Sequence, residues 1–161
     1  MTAQVPMSNG AEAPSEEDQL ALKVAEAKAA VASLGDQFLS FIADDVSKLS
    51  QLVNDAKTDL DGRMDHIQGM FHIAHNLKGQ GASFGYNLLT EVADRLCYRT
   101  RDVTQVDDAC LDAIGFHVRA IQVIVDGQIN GMGGEKGAAL LTKLSALPAP
   151  VFTPVTETND L

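Results

Sequence analysis

A chain of 161 residues suffices for one domain with a full core and modest appendages, and is short for a second domain. Hydrophobic residues at 45% and charged residues at 21% are ordinary for a soluble globular protein, while 5% aromatics with no Trp fit an aliphatic helical core. A net charge of −10 argues against nucleic acid as a partner, because its phosphates would be repelled, and no apolar run nears the roughly 20 residues that span a bilayer.

Residues 1–14, MTAQVPMSNGAEAP, are small and polar and are expected to be disordered. They have neither the charged nor the apolar part of a secretory signal, so a cytoplasmic protein is expected. Ser15 before Glu16, Glu17 and Asp18 reads as an N-cap with acids at the positive end of a helix dipole. Leu20, Val24, Ala27, Val31 and Leu34 then repeat at spacings of four and three, a narrow stripe that predicts an accessory helix over 15–34. Such a stripe needs a cover, either an edge of the core or a second copy of the chain in a homodimer. Gly35 reads as an interruption and Asp36 as the cap of a new helix, whose core face is Phe38, Phe41, Ile42, Val46, Leu49, Leu52 and Val53. Asp59 to Gly62 is a polar break, and a helix from about Gly62 to Phe84 ends at Gly85 as a C′ glycine.

Asn87 can cap the next helix, which buries Leu88, Leu89, Val92, Leu96 and Cys97 and ends near Arg101; Arg95, Arg99 and Arg101 read as a solvated helix end. Another helix starts near Val106 and places Cys110, Ala113, Ile114, His117, Ile121, Ile124 and Val125 at helical spacing. Cys97 and Cys110, without CxxC spacing, read as buried reduced thiols. GQINGMGG breaks the pattern, a short helix follows from about Glu135 to Leu147, and the tail 148–161 is expected to be disordered. No segment alternates with period two. The fold class is therefore all-α: an antiparallel up-down-up-down four-helix bundle over 35–127, with an extra N-terminal helix and, over 128–147, a Gly-rich turn and short C-terminal helix.

The run HNLKGQGASFG, opened by His75, carries the functional signal. At about 3.6 residues per turn, Met70, Ile73, Leu77, Gly81 and Phe84 line one side of the helix, with His66 a turn earlier, and His75 falls nearly opposite. Lys78 and Gly79 are its next-turn neighbours, so an imidazole, a cation and bare backbone share one surface. An imidazole is neutral near pH 7 and offers a lone pair to phosphorus, while phosphoryl transfer asks mostly for positioning and charge neutralisation. No GxxxxGK[ST] or kinase-like glycine-rich loop occurs, so the chain is not an autonomous ATP-dependent kinase. Met64 and Phe71, on the His75 side, serve either as part of a docking face with Gly79 and Ala82 or as packing beneath the N-terminal helix.

FHIAHNLKGQGASFG followed by LLTEVADRL resembles the signature of histidine-containing phosphotransfer (HPt) domains, including the phosphoacceptor domain of chemotaxis histidine kinases, over roughly Asp36 to Gly127. The resemblance implies that His75 carries the phosphate, that Lys78 stabilises it and that Gly79 leaves room for a receiver domain. It also implies partners, namely response-regulator receiver domains and a histidine kinase, hybrid or not, in a multistep two-component phosphorelay. The protein needs no cofactor of its own, since the receiver brings Mg²⁺. Where the family places a Gln or Glu to hold the histidine ring this sequence has Cys97, leaving Asp94, one turn earlier, or a water as substitutes.

Two alternatives stay open. The domain could be a substrate phosphorylated directly by a chemotaxis-type kinase, or a helical scaffold or metal-binding bundle without phosphotransfer. The metal reading is weak, because His66, His72, His75 and His117 lack the paired Glu-x-x-His pattern of bundle metal sites.

Overall fold

The structure is a computed structural model that describes residues 13–150. Most of residues 1–14 and 148–161, expected to be disordered, thus lie outside the described residues. Helices α1 (Glu16–Thr58), α2 (Arg63–Gly81), α3 (Asn87–Thr100), α4 (Asp108–Asp126) and α5 (Gly134–Ser145), with a 3₁₀ turn at Ala82–Phe84, make up the regular structure, and no strand occurs among the described residues. The chain divides after Leu34 into two compact units.

In the first unit, Ser15 caps α1 as its sequence predicts. Its Oγ accepts from the Asp18 backbone N–H at 3.1 Å, and Asp18 Oδ2 accepts from the Ser15 N–H at 3.1 Å, a reciprocal box that satisfies two backbone donors. Every residue from Glu16 to Leu34 is exposed, the stripe Leu20, Val24, Ala27, Val31 and Leu34 included.

Gly35 does not interrupt, and Asp36 does not cap a new helix: α1 runs through both. A helical glycine costs only about 1 kcal/mol relative to Ala, and burial of Phe38 and Leu39 on the following turn offsets this. The N-terminal helix and the first bundle helix are one element.

The second unit is a four-helix bundle formed by residues 35–58 of α1 with α2, α3 and α4, joined by short connections that leave neighbours antiparallel. Ile42, Val46 and Leu49 from α1, Ile67, Met70 and Leu77 from α2, Leu88, Val92 and Leu96 from α3, and Ile114, Ile121 and Ile124 from α4 meet in one core. Phe41, expected in that core, is 74% exposed, so the apolar face of α1 is narrower than its composition implies.

The histidine helix ends at Gly81, and the turn Ala82–Phe84 continues it in tighter form. Gly85 takes the left-handed conformation, φ 85°, which an L side chain disfavours. The Tyr86 N–H then donates to the Gly81 carbonyl at 2.9 Å, reversing the chain, while Phe84 stacks on Phe38 with centroids 4.5 Å apart. Asn87 is not the cap of α3; that position is Tyr86, without a side-chain cap. The start of α4 moves from Val106 to Asp108 because Asp107 caps it, accepting from the Cys110 N–H at 2.7 Å. Arg63 ties three pieces together, donating to the carbonyls of Ala56 and Val106 at 2.9 Å each and to Asp108 Oδ1 at 3.1 Å.

Arg95 and Arg99 are not a solvated helix end. Arg95 donates to the Leu141 carbonyl at 3.0 Å and to Ser145 Oγ at 2.7 Å, and Arg99, only 8% exposed, donates to the carbonyls of Pro148 and Leu147. Together they anchor α5, whose Leu144 reaches the core.

Candidate functional site

α2 carries the site because its two faces differ. Met70, Ile73, Leu77 and Gly81 are buried, as their spacing requires, and the opposite side exposes His72, His75, Gly79 and, just beyond the helix, Ala82. Among the described residues the His75 ring makes no hydrogen bond. Its ring neighbour is Phe71, one turn earlier, at 5.9 Å between centroids with planes 38° apart. Phe71 is half-buried against the core, as is Met64, and the Arg101 guanidinium lies 5.7 Å from the Phe71 centroid. That cation over an aromatic face joins the end of α3 to the histidine surface. Sequence periodicity alone did not reveal it, since the two residues are thirty positions apart.

On the other side of His75, Lys78 Nζ pairs with Asp94 Oδ1 of α3 at 2.5 Å, and both side chains remain partly exposed. Asp94 thus engages the lysine rather than the imidazole. Cys97 is 1% exposed, and burial pushes its thiol pKa up, with Lys78 opposing the rise and Asp94 adding to it. It sits near the ion pair as a neutral, desolvated group. A Cβ built on Gly79 would meet nothing within 4 Å, so no packing demand explains the glycine; the space above it is open to solvent.

The other two histidines belong to the structure. His66 Nε2 lies 3.1 Å from Asp59 Oδ2 at the boundary, and His117, 1% exposed, is hydrogen-bonded through Nδ1 to the Ala113 carbonyl at 2.8 Å. A carbonyl only accepts, so Nδ1 carries the proton. Burial, with the positive charges of Arg99 and Arg95 adding to it, lowers the His117 pKa to about 4. Among the described residues no group of three or more His, Cys, Asp or Glu is placed to hold a metal ion, and no helix is long and apolar enough to cross a membrane.

No curated protein and no solved structure matches the chain. The family model of the Hpt domain does match, over residues 33–123, which is more than half of the 161 residues and takes in the helices that build the bundle and display His75. Such domains exchange phosphoryl groups with kinases and receiver domains. On that match and this helical frame, the chain belongs to the Hpt domain family and acts in histidine phosphotransfer within two-component signalling.

Proposed function

We propose that His75 is the phosphoacceptor of a cytoplasmic phosphorelay protein, taking a phosphoryl group from one receiver-domain aspartate and passing it to another. The observation that supports this most is the exposure of a histidine on α2 between a half-buried aromatic ring and Lys78, with open space over the adjacent Gly79. In transfer, a lone pair on a ring nitrogen attacks phosphorus. The N–P bond forms as the P–O bond to the aspartate breaks, and the electron pair leaves on the carboxylate. Lys78 balances charge on the phosphoryl oxygens. Asp94 holds Lys78 beside α3 in the resting protein and releases it as the phosphate arrives. Mg²⁺ belongs to the receiver. Phe71, Met64, Gly79 and Ala82 make the receiver's docking face.

The exposed seam of α1 supports a second element of this reading, a homodimer. Spacings of four and three, with Val24 and Val31 at one heptad position and Leu20 and Leu34 at the other, suit a two-stranded coiled coil of identical helices.

The test is incubation of the whole protein with a phosphorylated receiver. Acid-labile, base-stable label is expected on the unaltered chain and none on His75→Gln, with equal helicity in both. Label persisting in the variant refutes the assignment of His75. Label from a kinase catalytic domain alone, with none from any receiver, replaces the relay role with that of a direct kinase substrate.

A further inference from the structure

A cavity of about 470 Å³ lies between the end of α3 and α5, and its wall is strongly basic. Lys78, Arg95, Arg99 and Arg101 line it, against the single carboxylate of Asp94. The charges are not all answered among the described residues. Lys78 pairs with Asp94 and Arg95 with Glu91, but among the described residues neither Arg99 nor Arg101 has a carboxylate partner. Arg99 is the more telling of the two. It is nine-tenths buried and donates to two backbone carbonyls, so among the described residues its positive charge is met by dipoles and by no carboxylate. Burial indeed lowers its pKa. An anion in the cavity would supply the missing countercharge.

The remaining wall describes the rest of the ligand. Tyr98, 61% exposed, offers an aromatic face, and Leu144 and Leu147 an apolar one. His117 also lines the cavity, and with its proton on Nδ1 the other ring nitrogen is an acceptor. The volume falls within the range of small-molecule sites, about 300 to 1,000 Å³. We propose that this cavity binds a small phosphorylated molecule of nucleotide size, its phosphate held by Arg99, Arg101 and Lys78 and its flat portion resting on Tyr98. His75 is not part of the cavity wall. The proposal concerns binding alone; it shares Lys78 with the reading of His75 as phosphoacceptor but not the histidine itself.

AMP and inorganic pyrophosphate are the probes, titrated into the full chain by calorimetry while the His117 ring resonances are followed by NMR. Both should saturate at one molecule per chain and shift the His117 signals, leaving those of His66 in place. Arg101→Gln, at an exposed position, should weaken both by about tenfold or more, the loss of one charge-assisted contact. Tyr98→Ala should weaken AMP and spare pyrophosphate. His75→Gln should bind both normally, whether or not it accepts phosphate. Absence of saturation by either probe up to about 1 mM overturns the proposal, and so does equal affinity in Arg101→Gln and the unaltered chain.

Discussion

Two single side chains separate demands of function from demands of packing. Gly79 has open space where a Cβ would be, so a substitution there meets no neighbour and gains helix propensity worth up to about 1 kcal/mol. Gly79→Gln should therefore fold at least as stably as the parent, accept phosphate from phosphoramidate, which needs no docking, and lose most transfer from a receiver. Normal receiver transfer would show that the gap over Gly79 is not used for approach. His117 is the converse case, a buried titratable group. Its folded pKa, about 4, lies below the ordinary 6.5, so the unfolded chain binds the extra proton first. The stability is fully present above pH 6.5 and is lost as pH falls toward 4, by at most about 3 kcal/mol. Urea midpoints measured across that window should fall less steeply for His117→Leu than for the parent; parallel curves would remove His117 as the cause.

At the scale of an element, α1 is the instructive case. The sequence pattern around Gly35 has the marks of a boundary, yet the residue is helical and buried, and a Cβ there would touch the Tyr86 ring at 3.6 Å, an ordinary contact. Gly35→Ala should accordingly stabilise the protein by up to about 1 kcal/mol, read as a higher Tm. A lower Tm would mean that the helix does break at this position. The termini of α3 and α4 show the same limit of local reading. Asn87 and Asp107 are both good capping residues, but Asp107 alone accepts a backbone N–H, because its extended backbone, ψ 174°, aims the carboxylate at the first turn.

For the whole molecule, the exposed seam of α1 bears on self-association. Nineteen consecutive exposed helical residues have little to sustain them singly, since short helices are marginal in water without a packed face. Deleting residues 1–33 should convert a dimer to a monomer in light scattering while the bundle keeps its Tm. A parent chain already monomeric at high concentration would exclude the coiled-coil pairing.

Periodicity by itself determined α2 to α5, their buried stripes and the exposure of His75, though not the continuity of α1 through Gly35, because a core face recurs at the period of the helix and needs only local spacing to be seen. The same logic marked Cys97, Cys110 and His117 as interior and Gly85 as a helix end. Tertiary structure decided what depends on residues far apart in the chain. Phe41 is apolar and in phase, yet it stays 74% exposed. Arg95 and Arg99 look like solvent-facing charge until α5 brings carbonyls to them, some fifty positions later. Asp94 could have faced the imidazole or the lysine, and only the packing of α3 against α2 turns it to Lys78. A charged side chain takes its role from whichever partner the fold delivers, and spacing along one helix carries no record of that partner.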